Sequence, residues 1–364
     1  MPEPKRPARL RLRKRGDDGS FRELWQVAVD PASRFVDRAP LPGGKVQALL
    51  KNGEPAEKVD LLILGDGYTE DRMEQYRQAA TLAMDALFAE EPFRSRKSDF
   101  NVWIIETPAD QPGISRPRAG VFRNSPLGAR YNSFDSERYI LSLDDRAWRD
   151  VAAAAPYDTV VLLVNERKYG GGGIFNLYST ASAGSAFASY LVVHEFGHHF
   201  AGLGDEYYTS PVSYETGPEI TVEPWEPNVT ALLDPAELKW GDLVGPDTPL
   251  PTPWDKESYD AASRASQKER SDLRAAGAAE EALEALFFEE QERFTKQLGD
   301  EKYAGKVGAF EGAGYMSRGL YRPSADCIMF TRDKVGFCAV CARAINRMID
   351  LHTVSYTHLT LPTK

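Results

Sequence analysis

Two stretches near the start of the chain, "ARLRLRKR" and "FRELWQVAV", alternate apolar and polar side chains. That period predicts exposed strands, and "APLPGG" then reads as a linker. From residue 58 the pattern changes. "KVDLLILGDGY" is a continuous apolar run, the mark of a buried strand. It leads into a segment whose apolar positions Met73, Tyr76, Ala80, Met84, Leu87 and Phe88 recur at helical spacing, with Thr69 placed to cap it. "DFNVWIIET", "APYDTVVLLVN" and the short "GIFNLYS" predict further strands. Residues 186–202 predict a helix that stops at Gly202. Strands alternating with helices imply an α/β layered core.

The remainder divides by composition. Residues 211–254 are rich in Pro, Trp and Glu and read as ordered loop. Residues 256–302 are dominated by charged residues and Ala, with a break near Gly277, which predicts an exposed helical hairpin inserted into the fold. "CARAINRMIDLH" predicts a last helix, after which "VSYTHLTLPTK" fits no preceding pattern. The expected division is a short β-rich piece over 1–45, a catalytic domain over 46–354, and a tail over 355–364 that is disordered or foreign to the domain.

Composition narrows the partners. A formal net charge of −10 over 364 residues argues against nucleic acid, which demands a basic surface. No apolar run reaches membrane-spanning length. The basic N-terminus lacks the apolar core of a signal peptide. The three cysteines, Cys327, Cys338 and Cys341, cluster near the C-terminus, the last two as a CxxC. No nearby His completes a four-ligand set, so the expectation is a disulfide plus one thiol, or three buried thiols, ahead of a structural metal.

The chemistry concentrates in "VVHEFGHHFAGLGDEYY". His194 and His198 stand four apart, about 40° around a helix and one turn along it, so both imidazoles can reach one ion. Glu195 is then placed as a base beside a metal-activated water rather than as a ligand. His199 points to another side of the helix, and His352 and His358 lie in the terminal region. The third ligand must therefore be sought among carboxylates. The pattern runs HExxHxxxGxxD, and a helix unwinding at Gly202 would let Asp205 swing back to the ion. Glu206 competes for that role, as do Glu219 and Glu223 further along.

"LLILGDGYT", "EEPFRSRKSDFNVWIIE", "VVLLVNERKYGGGG", "HEFGHHFAGLGDEY" and "EGAGYMSRGLYRPSADCIM" resemble, in order, the successive blocks of the IgA-peptidase family of secreted bacterial zinc metallopeptidases. The resemblance implies a metzincin-like catalytic domain with a mixed twisted sheet, an active-site helix and a methionine turn. It implies an endopeptidase holding Zn²⁺ on His194, His198 and Asp205 with Glu195 as base, acting on protein or peptide outside the cytoplasm. It casts Met329 as the methionine beneath the zinc site; without it, Met329 is an ordinary buried Met. Two departures stand out. The N-terminal β region is shorter than in the family. No Tyr follows Met329 closely, which leaves Tyr207, Tyr208, Tyr315 and Tyr321 as candidates to bind an oxyanion.

Gly170–Gly173 allow a closely approached backbone, and residues 174–180 are expected either to form an edge strand that pairs with peptide substrate or to form a flexible hairpin. The competing functions are a gluzincin-type peptidase with a remote Glu ligand and a surface-binding protein that keeps the fold without cleaving.

Overall fold

The structure, a computed structural model, describes residues 5–16, 18–36, 44–209 and 220–353. The foreign-looking tail, His358 and Glu219 lie outside them. β1 (Ala8–Arg15) and β2 (Phe21–Val29) form an antiparallel, solvent-exposed hairpin, as their alternation predicts. The larger region follows with β3 (Lys45–Leu50), β4 (Val59–Asp66), α1 (Met73–Ala89), β5 (Phe100–Glu106), β6 (Ala129–Arg130), β7 (Leu141–Ser142), α2 (Asp145–Ala152), β8 (Thr159–Val164), β9 (Gly171–Ile174), β10 (Tyr178–Ser182) and α3 (Ala188–Ala201). It closes with α4 (Lys256–Ala275), α5 (Glu280–Gly299), β11 (Phe310–Ala313), β12 (Met316–Arg322) and α6 (Ala339–Thr353).

Six strands make one mixed sheet in the order β3-β5-β4-β8-β10-β9. The inner pairs are parallel, while β3 and β9 run antiparallel at the two edges. β4 is buried on both faces, and its side chains sort by parity. Leu61 and Ile63, with Val102, Ile104, Val161 and Leu163, pack against α1 and α3. Leu62 and Leu64, with Ile105, Val160 and Leu162, pack against Trp148 and Val151 of α2. A one-residue slip of register would exchange these two sets, so the alternation fixes where α3 sits.

Three expectations need correction. Thr69 does not cap α1. Its hydroxyl donates to Asp71 2.6 Å away, and a short 3₁₀ turn, Glu70–Arg72, precedes the helix. Residues 174–180 are not an edge strand. Asn176 takes a positive φ of 57°, the chain turns there, and β10 is an inner strand. The edge belongs instead to β9, made mostly of glycine. Their small size is required, since a Cβ on Gly173 would meet the Glu195 carbonyl at 2.4 Å and His198 Cβ at 2.7 Å. Nor is the charged hairpin merely a solvated surface. α4 and α5 turn at Gly277, whose φ is 65°, but α5 buries Leu283, Phe287, Phe294 and Leu298, and Phe287, Phe294 and Leu298 join the main core. The loop expected over 211–254 holds over its described part, 220–254, with two 3₁₀ turns.

Candidate metal centre

α3 is apolar nearly all round, burying Leu191, Val192, Val193, Phe196 and Phe200, because it is covered by the sheet, α1 and the turn around Met329. It ends at Gly202 in the left-handed conformation, φ 63°, where a Cβ would collide with Trp225. The chain then doubles back. The Leu203 amide donates to the Gly197 carbonyl, and Asn228 clamps Gly204 through both its amide N–H and its carbonyl. The Gly314 amide donates to the Asp205 carbonyl, and the Glu206 amide to the Met329 carbonyl, both at 2.9 Å.

This return places Asp205 Oδ1 at 3.2 Å from His194 Nε2 and 3.0 Å from His198 Nε2, with the two Nε2 atoms 3.2 Å apart. Each imidazole is oriented by its other nitrogen. His194 Nδ1 donates to the Ile328 carbonyl at 2.8 Å, and His198 Nδ1 to the Leu203 carbonyl at 2.6 Å. A carbonyl accepts only, so the Nδ1 proton is fixed and each neutral ring turns a lone pair toward Asp205. Three acceptors then converge with no proton among them, an arrangement that calls for a cation. A proton on His198 is one answer. Burial disfavours it, but Asp205 holds the His198 pKa up to about 9. A divalent ion is another answer that these residues could hold. Bonds of about 2.0–2.2 Å in a tetrahedron put donor atoms about 3.3–3.6 Å apart, slightly wider than the 3.0–3.2 Å separations here. Imidazole nitrogen with one carboxylate is a donor set suited to zinc. The hydrogen-bonded second nitrogens are the usual support of such a site.

Around this cluster the Tyr315 hydroxyl donates to Asp205 Oδ2. It also meets Tyr139 at 3.1 Å and Tyr207 at 3.3 Å, and Arg138 Nη2 donates to the Tyr207 hydroxyl at 2.8 Å. Tyr207 and Tyr315 thus face the site. Tyr208 instead donates to Asp260, and the backbone of Tyr321 pairs with that of Thr230. Glu195 is buried beside the histidines, and burial raises its pKa even though His194 and His198 pull it down. Met329 is fully buried in a turn under α3, and a Cβ on Gly197 would meet its Sδ at 3.0 Å. His194, Glu195, His198 and Asp205 all open on a cleft of about 480 Å³, rimmed by the exposed aromatics Phe134, Phe175 and Trp225.

The competitors go elsewhere. Glu206 is completely buried and turns away from the histidines toward the cysteines. Glu223 accepts from Thr230, Ala231 and Leu233, which stitches a loop. His199 faces the sheet, where Nε2 meets the Val160 amide at 3.2 Å and Thr159 Oγ1 at 2.7 Å. Sequence reasoning missed Arg138, Tyr139, Tyr190 and the carbonyls of Leu203 and Ile328. The carbonyls carry no side-chain signature, Arg138 and Tyr139 come from a segment without any metal-site motif, and Tyr190, whose hydroxyl is 3.1 Å from His194 Nδ1, is of no ligand type although it stands one turn before His194 on α3.

The model of the IgA peptidase M64 family matches residues 47–349. The chain belongs to that family. It is therefore a peptidase acting on protein or peptide. No curated protein matches it. No helix among the described residues is long and apolar enough to cross a membrane. The matched span begins within β3 and ends in α6, so it takes in the other five strands of the sheet and every residue that lines the cleft.

Proposed function

We propose that this peptidase is a zinc-dependent endopeptidase of metzincin type, with His194, His198 and Asp205 as the protein ligands and Glu195 as the proton carrier. The observation that carries the reading is the convergence of three lone-pair donors within 3.2 Å, with both Nδ1 protons committed to carbonyls. Zinc bound there supplies a Lewis acid for the scissile carbonyl and brings the pKa of a coordinated water to about 7.

The chain's own groups do the rest. Glu195, held in an apolar setting with a raised pKa, takes a proton from the attacking water and returns it to the leaving amine. Tyr315 fixes Asp205 through Oδ2, which leaves Oδ1 turned toward the histidines. Arg138 donates to the oxygen of Tyr207, and because the Tyr315 proton goes to Asp205, the Tyr207 proton is the one that bridges to the Tyr315 oxygen; we assign that proton, turned from Tyr315 toward the cleft when substrate binds, to the developing oxyanion. Met329 supports α3 from beneath, between the two histidine positions. The aromatic rim favours substrates with apolar side chains near the scissile bond. The family relationship favours action outside the cytoplasm.

A remote Glu ligand has little support, since Glu223 is occupied in its own loop. The decisive experiment incubates the zinc-loaded chain with a denatured protein and compares wild type with Glu195→Ala. Wild-type cleavage that disappears in a variant of unchanged zinc content supports the reading. Equal cleavage by both overturns the role of Glu195, and zinc binding without any cleavage favours a binding protein.

A further inference from the structure

Behind the turn that carries Met329 lies a second group of convergent donors that the peptidase chemistry does not use. Cys327, Cys338, Cys341 and Glu206 place three sulfurs and a carboxylate oxygen within 4.8 Å of one another. We propose that they form a closed, structural zinc site.

The geometry suits a tetrahedron. Zinc–sulfur bonds of about 2.3 Å and a zinc–oxygen bond of about 2.0 Å require sulfur–sulfur edges of about 3.8 Å and sulfur–oxygen edges of about 3.5 Å. Cys327 Sγ and Cys341 Sγ are 3.9 Å apart, and Cys341 Sγ is 3.3 Å from Glu206 Oε1. Three thiolates with one carboxylate is a soft set that selects zinc over calcium or magnesium. Four protein ligands leave no open position, which distinguishes a structural site from a catalytic one.

An independent observation concerns Glu206. Its residue is completely buried, its Oε1 accepts from Asn228 and Cys341, and its Oε2 has no hydrogen-bond partner among the described residues. A buried carboxylate with a bare oxygen is costly, and a cation within the cluster removes that cost. Burial pushes the Cys327 and Cys341 thiols up, and local donors work against it. The Cys338 amide donates to Cys327 Sγ at 3.4 Å, and Cys338 and Cys341 bracket the start of α6, where helix N–H groups favour a thiolate. The fully buried Arg322 guanidinium acts on Glu206 and offsets part of the excess negative charge.

The consequence is mechanical. Glu206 directly follows Asp205, Cys327 lies one residue before Ile328, whose carbonyl holds His194, and Met329 accepts from the Glu206 amide. The rear ion would therefore brace the loop and the turn that shape the front site.

The test is metal content by mass spectrometry on the purified full chain and its variants. Wild type should carry two zinc ions per chain, His194→Ala/His198→Ala one, and Cys338→Ser one. Cobalt substituted into the double His variant should give the strong near-ultraviolet thiolate-to-cobalt absorption, lost on adding Cys338→Ser. Glu206→Gln, nearly isosteric, guards against loss of fold. It should keep its circular dichroism yet surrender the rear ion to a chelator that wild type resists. A wild type with a single ion, unaffected by the His substitutions but removed by Cys338→Ser, would sink the front-site reading and leave this one standing. Zinc lost entirely in the double His variant would overturn this proposal. So would a mass two hydrogens low in the unreduced denatured chain, which shows a disulfide.

Discussion

Asp205 and Glu206 are neighbours of the same chemical type, and the fold sends them to opposite sides of one loop. Asp205 meets two histidines at the floor of a solvent-reaching cleft, with its second oxygen held by Tyr315. Glu206 meets three cysteines in a sealed interior, with its second oxygen bare. The donor sets differ in softness, and the surroundings differ in access. An open site with nitrogen and oxygen donors can admit a substrate carbonyl; a closed one with sulfur donors can only hold parts together. The contrast teaches that the identity of a carboxylate says little about its task. Its task follows from which backbone group fixes the next turn, here the Gly314 amide on Asp205 and the Met329 carbonyl on Glu206.

The contrast breaks most readily at the front. Glu195→Ala should reduce peptide hydrolysis by about 10²–10⁴-fold, the usual worth of a general acid–base group, with zinc content unchanged. A steady-state assay beside metal analysis checks both halves. Tyr207→Phe should lower kcat by about 10²-fold with little change in KM, as for loss of an oxyanion donor. A rise in KM alone would make Tyr207 a substrate-binding group instead. Tyr315→Phe should weaken zinc binding by about 10–100-fold, because it acts through Asp205 rather than on the ion. Competition with a chelating dye measures it, and Asp205→Ala should exceed it in the same assay. If the two variants were equal, Asp205 would not be a ligand.

Much of this contrast was legible in the residues. The spacing of His194 and His198 needs only helical periodicity, and α3 supplies it. The turn at Gly202 follows from glycine's tolerance of positive φ, and the offset of Asp205 follows from that turn. What could not be read is which of Asp205 and Glu206 faces which way. That depends on β11, β12 and the Met329 turn, which lie more than 100 residues downstream and pin the loop through backbone groups. The cysteine cluster was legible in the sequence, but its completion was not, for the same reason. Its fourth donor sits 121 positions before Cys327 and reads in sequence as a rival for the first ion. Thr69 and residues 174–180 went astray because capping and edge position are decided by hydrogen bonds to neighbours that the local pattern does not contain.

His198 and His199 repeat the contrast on a smaller scale, since one faces the ion site and the other the sheet. The His199 Nε2 accepts from the Val160 amide while Nδ1 donates to the Ile174 carbonyl, so the ring is built to be neutral. Burial depresses its pKa from 6.5 to about 4. The unfolded chain therefore binds the extra proton first. This contribution is fully present above pH 6.5, falls by up to about 1.4 kcal/mol per pH unit below that, and is gone near pH 4. Urea midpoints between pH 7 and pH 5 should fall more steeply for wild type than for His199→Gln. The difference isolates His199, because every other titratable group is common to both proteins. Parallel slopes would mean that the native state does not depress the His199 pKa.

The gentlest probe joins the front and rear regions. Gly197 lies between the two histidine positions, with Met329 Sδ at 3.0 Å, Phe337 Cε1 at 3.1 Å and Leu203 Cδ1 at 3.2 Å from where a Cβ would sit. Alanine there gains up to about 1 kcal/mol in helix propensity but overpacks the contact with the methionine turn at a cost of about 1–3 kcal/mol. The expected net is a loss of about 1 kcal/mol in chemical denaturation. Because the displaced turn carries the Ile328 carbonyl that holds His194, zinc affinity should fall as well, although Gly197 touches no ion. A destabilised variant with unaltered affinity would show that the turn yields without moving His194, and that the two regions are coupled less tightly than their shared loop suggests.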